Sequence, residues 1–145
     1  MGLNAPLVRD FTAEEAELLS CSGYPDDMVR SKVRFFGRVI VNGRISQTAE
    51  SSRGKRNSSL LQTSQGLCVL QKVAFVRASL TVMCLFFCSR CEGKQAFPLV
   101  NHIMEYVPKA TTIVLEPSDI VGNCVSVGNG RVRYCCLQPN TIEKD

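Results

Sequence analysis

Thr112-Ile-Val-Leu-Glu-Pro-Ser-Asp-Ile-Val-Gly-Asn-Cys-Val-Ser-Val-Gly-Asn-Gly-Arg-Val-Arg-Tyr-Cys-Cys136 is the stretch that decides the fold class. Two apolar runs rich in β-branched residues flank Gly128-Asn129-Gly130, a turn signal that reads as a β-hairpin. Just before them, Thr111–Leu115 reads as a strand and Glu116-Pro-Ser-Asp119 as a turn. The closing third is therefore read as β structure punctuated by tight turns.

Working outward, Ser31-Lys-Val-Arg-Phe-Phe-Gly-Arg-Val-Ile-Val-Asn-Gly-Arg-Ile-Ser46 repeats the theme. Val33, Phe35, Val39 and Val41 alternate with Lys32, Arg34 and Arg38, and Asn42-Gly43 suits a type I′ turn. Gly37 interrupts the run and marks a bulge or a close backbone approach. The polar, Ser-rich segment from Thr48 to Ser59 is expected to be a loop. Ser59–Thr63 and Leu67–Val76 read as strands with Gly66 between them. Ala78–Cys88 is an apolar run open to either strand or helix, Ser89-Arg-Cys-Glu-Gly-Lys94 reads as a turn, and Ala96–Val107 as a strand or short helix. At the other end Phe11–Ser20 reads as a short helix, with Thr12 and Glu15 forming a capping box. The expected fold is mostly β: a small barrel or sandwich of about six to eight short antiparallel strands with a short N-terminal helix. Residues 1–29 are taken as an acidic helix and linker, and residues 30–145 as the β-rich domain.

A chain of 145 residues with 45% hydrophobic content can bury a substantial core. Its longest apolar run, Leu80–Cys88, falls short of the roughly 18 residues that mark a membrane span, so no membrane partner is expected. The N-terminus has no basic start followed by an apolar stretch, and Pro6 stands where a myristoylation motif wants Ser or Thr. An intracellular setting, cytosol or nucleus, is the expectation. There the eight cysteines, several inside apolar runs, read as reduced, buried thiols rather than a disulfide framework.

The net charge of +4 hides a segregation. Residues 1–29 carry six acids and one base, a net of −5, whereas residues 30–56 carry eight bases and one acid, a net of +7. The remainder carries eight bases and six acids. Lysine and arginine neutralise phosphates and release counterions, so the basic segment is a candidate contact for DNA or chromatin. Arg34, Arg38 and Arg44 are expected to project from a hairpin, with Arg53, Lys55 and Arg56 on the following loop; Phe35 and Phe36 offer a stacking face unless the core takes them. The more economical reading of the same charges is a solvated face that pairs with the acidic N-terminal segment.

No catalytic constellation is found. Cys88-Ser-Arg-Cys91 has the spacing with which two thiolates grip a zinc ion, but a structural site needs four ligands and the sequence has no second such pair. Cys84, His102 or Cys135-Cys136 would complete it only through the tertiary fold, and zinc is retained as the single cofactor candidate. His102 has no specified nucleophile partner. Glu116 and Asp119, flanking a Pro-Ser turn, read as turn residues rather than an acid–base pair.

Several segments taken in order resemble the C-terminal β-rich region of uncharacterised transposon-derived (transposase-like) animal proteins. They are Val33–Arg44, Ser52–Ser59, Leu70–Phe75, His102-Ile103, Ile113–Cys124 and Tyr134–Asp145. The cysteine-rich Thr81–Lys94 departs from the family pattern. The resemblance covers about residues 30–145 and implies a relic without transposition chemistry, since no acidic catalytic triad is present. The combined expectation is a non-catalytic β-rich interaction module, intracellular or nuclear. It would contact nucleic acid or an acidic partner through its basic hairpin and loop, with a small zinc-stabilised structural module as the alternative.

Overall fold

The computed structural model describes residues 6–41, 44–48, 60–78, 80–97, 100–129 and 132–136. In chain order they form β1 (Leu7–Arg9), α1 (Ala13–Cys21), α2 (Asp26–Val29), β2 (Val33–Phe36), β3 (Arg38–Val41), β4 (Arg44–Gln47) and β5 (Leu60–Thr63). There follow β6 (Gly66–Ala78), β7 (Thr81–Phe97), β8 (Val100–Leu115), a 3₁₀ turn (Pro117–Asp119), β9 (Ile120–Asn123), β10 (Val125–Asn129) and β11 (Val132–Cys136). The protein is mostly β, and all pairings are antiparallel.

Among the described residues nine strands form one sheet in the order β1-β2-β6-β7-β8-β11-β10, with β5 pairing β6 and β9, while β3 and β4 form a separate two-stranded ribbon. The long strand β6 carries two short neighbours end to end on one edge. Its start pairs with β5 (Leu60↔Val69, Thr63↔Gly66) and its end with β2 (Val33↔Val76, Phe36↔Val73). The sheet curls, since β9 returns to β5 while β10, one residue further on, belongs to the opposite end beside β11. Cys124 separates β9 from β10 and its N–H donates to the Leu60 carbonyl at 3.0 Å. No ladder joins those two strands, so the expected barrel is not closed.

The strand β7 explains why the apolar run Ala78–Cys88 was ambiguous. Leu85, Phe86, Phe87 and Cys88 are all at most 2% exposed. Successive side chains of a strand point to opposite faces, so a strand covered on both faces reads as an unbroken apolar run. Phe86 and Cys88 pack with Val39, Leu61, Cys68, Leu70, Val73, Leu115 and Ile120 on one face. Leu85 and Phe87 pack with Leu19, Met28, Val33, Phe35, Ala74 and Val76 on the other. A third cluster, Leu60, Leu67, Tyr106 and Cys124, sits beside the curl.

Strict alternation along β6 fails at one point. Cys68 and Leu70 share a face with Val73, which requires one extra residue, and the β6–β7 register shifts between Leu70 and Lys72. A bulge there re-phases the strand so that even-numbered and then odd-numbered residues fill the same core.

The reading of Ser89–Lys94 as a turn is overturned: the segment lies inside β7, with Glu92↔Val107, Gly93↔Tyr106 and Lys94↔Glu105 in register with β8. Arg90, Glu92 and Lys94 are exposed, which gives a polar composition to residues whose backbone is fully laddered. Cross-strand ion pairs, Glu92–Lys109 at 3.4 Å and Lys94–Glu105 at 3.7 Å, accompany the ladder. Gly93 lies within the extended strand rather than at a turn, and a Cβ there would press only on the flexible end of Met104. Gly66, by contrast, has φ +99° and closes the tight β5–β6 hairpin in the left-handed region.

The closing hairpin is present as β10–β11, with Asn129 opposite Val132; its turn, including Gly130, lies outside the described residues. The Asn42-Gly43 hairpin is present as β3–β4, with Val41 opposite Arg44, and those two turn residues also lie outside the described residues.

Core position decides the cost of truncation. Leu70→Ala, at 0% exposure, is expected to lower unfolding free energy by about 3 kcal/mol, whereas Leu80→Ala, at 101%, changes it by less than ~0.5 kcal/mol. Urea unfolding followed by circular dichroism measures both, and similar losses for the two variants would contradict the placement of the core.

Candidate functional site

The basic residues singled out by the charge pattern divide between two structural units. Arg34 lies on β2, opposite Phe75 in the main sheet, and is exposed because its neighbours Val33 and Phe35 turn to the core. Arg38 lies on the ribbon, opposite Gln47, half-buried, with a buried Nε that has no hydrogen-bond partner. The break between the two strands falls at Gly37, whose carbonyl accepts from the Thr48 N–H at 2.9 Å and so ties the base of the ribbon together. The expectation that Arg34, Arg38 and Arg44 project from one hairpin is corrected accordingly: Arg34 belongs to the sheet. The backbone of Arg44 is on β4 opposite Val41, but its side chain, like the whole of Arg53, Lys55 and Arg56, lies outside the described residues.

Neither phenylalanine is a free stacking face. The Arg9 guanidinium sits 4.0 Å above the centre of the buried Phe35 ring, and Phe11 meets that ring edge-on at 6.1 Å. Phe36 packs against Phe75 at 5.0 Å.

The ribbon does present apolar surface elsewhere. Val39 and Ser46, paired across it, are each 1% exposed, and the next pair, Ile40 and Ile45, is 41% and 45% exposed. The sequence held the signal in Val39-Ile40-Val41, since three successive strand residues cannot share a face.

A second polar centre was legible only in part. Glu15 was expected to close a capping box with Thr12, and it does: the Glu15 N–H donates to Thr12 Oγ1 at 3.2 Å and the Thr12 N–H to Glu15 Oε1 at 2.8 Å. The same carboxylate, 5% exposed, also accepts from Arg9 at 2.8 and 3.0 Å and from Lys72 Nζ at 2.6 Å. Burial alone pushes the Glu15 carboxyl up, but hydrogen bonds from Arg9, Lys72 and the Thr12 N–H outweigh it and bring it down to about 2. Beside this centre a cavity of about 550 Å³ opens between α1 and the sheet, lined by Glu14, Leu18, Gln71, Lys72, Ser89 and Thr112 among others. The Gln71 amide donates to the Ser89 hydroxyl at 3.1 Å.

Glu116 and Asp119 have structural tasks. Asp119 accepts from the Glu116 N–H and from the Ser64 hydroxyl, each at 3.0 Å, clamping the 3₁₀ turn to the β5–β6 hairpin. Tyr24 donates to Glu116 at 3.4 Å.

The cysteine pair offered for zinc sits in β7. Cys88 is fully buried opposite Ile113, and Cys91 is half-buried opposite Pro108 after a register shift. Burial pushes the Cys88 thiol far above the usual range, and neighbouring Cys68 and Cys91 push the same way. Burial likewise carries Cys84 up to about 12. Among the described residues no group of three or more His, Cys, Asp or Glu side chains is placed to hold a metal ion. The side chain of His102 lies outside the described residues.

No family model matches the chain, no curated protein matches it, and no solved structure matches it.

Two outcomes follow from these environments. Glu15 has a folded pKa below its ordinary value of 4.5, so its contribution to stability is complete above that value and is lost as pH falls toward about 2. The wild type is expected to lose on the order of 3 kcal/mol more than Glu15→Gln between pH 6 and pH 2.5 in denaturant titrations. Equal losses would show that the carboxylate is not held as described. Iodoacetamide at pH 8 is expected to alkylate exposed Cys21 in the folded protein but to spare Cys84 and Cys88 until denaturant is added. Peptide mass spectrometry reads the difference, and rapid labelling of Cys88 without denaturant would contradict its burial.

Proposed function

We propose that the protein is a non-catalytic β-rich interaction module of transposon origin whose basic residues 30–56 meet nucleic acid or an acidic partner. The observation that carries this reading is the net charge of +7 over those residues, set against the fate of the neighbouring acids. Among the described residues intramolecular pairing accounts for little of it. Lys32 pairs with Asp10 at 3.1 Å, both side chains being largely exposed, and such a pair contributes little. Glu15 is engaged by Arg9 and Lys72, neither of which belongs to the basic segment. Arg30 and Arg34 are exposed and form no ion pair among the described residues.

Cations left without intramolecular counter-charges attract a polyanion, and the free energy comes from counterion release. The resemblance to transposon-derived proteins supports DNA as that polyanion and the nucleus as the setting. Arg34, Arg38, Arg44, Arg53, Lys55 and Arg56 are the residues assigned to the contact, through phosphates rather than by any reaction.

Fluorescence anisotropy with a labelled duplex across a salt series tests this. Binding is expected to weaken linearly in log–log form, and changing Arg53, Lys55 and Arg56 together to Ala is expected to flatten the slope by about 2 to 3. If that variant keeps the affinity and slope of the wild type, the basic loop has no part in binding.

A further inference from the structure

The cavity between α1 and the sheet, about 550 Å³ in volume, falls within the range of small-molecule sites, roughly 300 to 1,000 Å³. The bulge of β6 shapes its wall. Gln71 and Lys72 are successive residues that a regular strand would send to opposite faces, yet both line the cavity. Leu70 stands opposite Cys88 and Lys72 opposite Phe87, so Gln71 is the extra residue, and its amide reaches the Ser89 hydroxyl at 3.1 Å. Bulges that re-aim a side chain in this way recur beside functional sites.

Lys72 supplies the charge. The Arg9 guanidinium already grips both oxygens of the Glu15 carboxylate, at 2.8 and 3.0 Å, and the Thr12 N–H donates to Oε1 as well. One cation balances one carboxylate, so Lys72 brings a positive charge in excess. Its ammonium has three N–H donors and gives one to Glu15 Oε2 at 2.6 Å, while the side chain stays 43% exposed at the cavity wall. Ser89 and Thr112, opposite each other on β7 and β8, add hydroxyls, and Ser89, which accepts from Gln71, keeps its own O–H to donate. Leu18 and Phe87 contribute apolar lining.

A single surplus cation suits a monoanion. A phosphate dianion is disfavoured, because Glu15 takes up the guanidinium fork that would bind it and because exposed Glu14 borders the same cavity. We infer that the cavity binds a small carboxylate with an apolar body. The carboxylate sits on the Lys72 ammonium and the Ser89 hydroxyl, and the body lies against Leu18 and Phe87. The site is separate from the basic residues 30–56, none of which is among its described lining residues.

The test uses the full chain, labelled with nitrogen-15, and three probes followed by amide NMR at neutral pH. Hydrocinnamate carries a phenyl ring on a short carboxylate chain, hydrocinnamamide is its uncharged counterpart, and inorganic phosphate is an anion without an apolar body. A Kd on the order of 1 mM is expected for hydrocinnamate, with amide shifts at Gln71, Lys72, Ser89 and Thr112. The amide is expected to bind about tenfold more weakly, and phosphate more weakly still. Glu14→Gln removes the opposing charge from an exposed position and is expected to tighten hydrocinnamate about twofold to threefold while leaving the amide unchanged. Lys72→Met, which keeps an apolar stem, is expected to bind acid and amide alike. Because Lys72 also holds Glu15, thermal melting accompanies that variant, and Glu14→Gln carries the test if Lys72→Met unfolds. Equal binding of acid and amide by the wild type would overturn the assignment, and so would phosphate binding as tight as hydrocinnamate. It also falls if the shifts lie away from α1 and β6–β8, or if none appear at about 20 mM hydrocinnamate, roughly twenty times the expected Kd.

Discussion

The structure depends on the burial of β7 from both sides. Leu85, Phe86, Phe87 and Cys88 follow one another in the chain, and an extended backbone must send them alternately to opposite faces. Each face then needs a cover. On the Phe86 side the sheet supplies it by curling, so that Leu61 from β5, Ile120 from β9 and Val39 from the ribbon close over the strand. On the Phe87 side no strand layer is available, and the N-terminal segment takes the position: Leu19 of α1 and Met28 of α2 enter that core. The acidic N-terminal segment is thus joined to the sheet by apolar packing, and β1 extends the sheet edge beside β2.

Docking an acidic helix on an apolar face brings a carboxylate into the interior, where an uncompensated charge is costly. Glu15 meets that constraint with two cations and one backbone N–H, that of Thr12, and its partners come from different places. Arg9 belongs to β1, and Lys72 sits just past the bulge of β6. The bulge therefore does two things: it re-phases the core-facing residues of β6, and it sets the amine of Lys72 at the carboxylate. The Arg9 guanidinium stacks on Phe35 while binding Glu15, so the polar centre and the second apolar cluster share a side chain. Removing either cation leaves a buried carboxylate short of a partner.

Much of this was legible in short-range chemistry. Asn42-Gly43 announced its hairpin because a tight two-residue connection restricts residue type, and the Thr12–Glu15 capping box announced α1 through its side-chain chemistry, whereas at the closing hairpin Gly128 and Asn129 belong to the strand rather than the turn. What was not legible depends on contacts distant in sequence. Ser89–Lys94 looks like a turn because it is polar and contains a glycine, yet its polarity reflects exposed positions on a laddered strand. The bulge of β6 leaves no local mark beyond a failure of alternation. Leu7–Arg9 is three residues long, too short for a period to show, and becomes a strand only because β2 is there to pair with. For the candidate site, the charge pattern marks the basic segment only as a stretch of sequence, and the assignment of Arg34, Arg38 and Arg44 to one hairpin failed at Gly37. The isoleucine pair was hidden inside a run of apolar residues that alternation should have divided.

The same topology bears on where a partner can bind. A β-rich chain with a basic stretch in a central strand would hold its charges within the core, where they must be neutralised internally. Here the chain leaves the main sheet at Gly37, makes the ribbon, and returns at Leu60 to pair with β6. Only the ribbon's inner face, Val39 and Ser46, is committed to the core. On the other face Ile40 and Ile45 are 41% and 45% exposed. Three acids are held by other contacts, Glu15 by the docking of α1 and Glu116 and Asp119 at the 3₁₀ turn, while Asp10 pairs with Lys32. Glu15 is thereby occupied by Arg9 and Lys72, neither of which belongs to the basic segment.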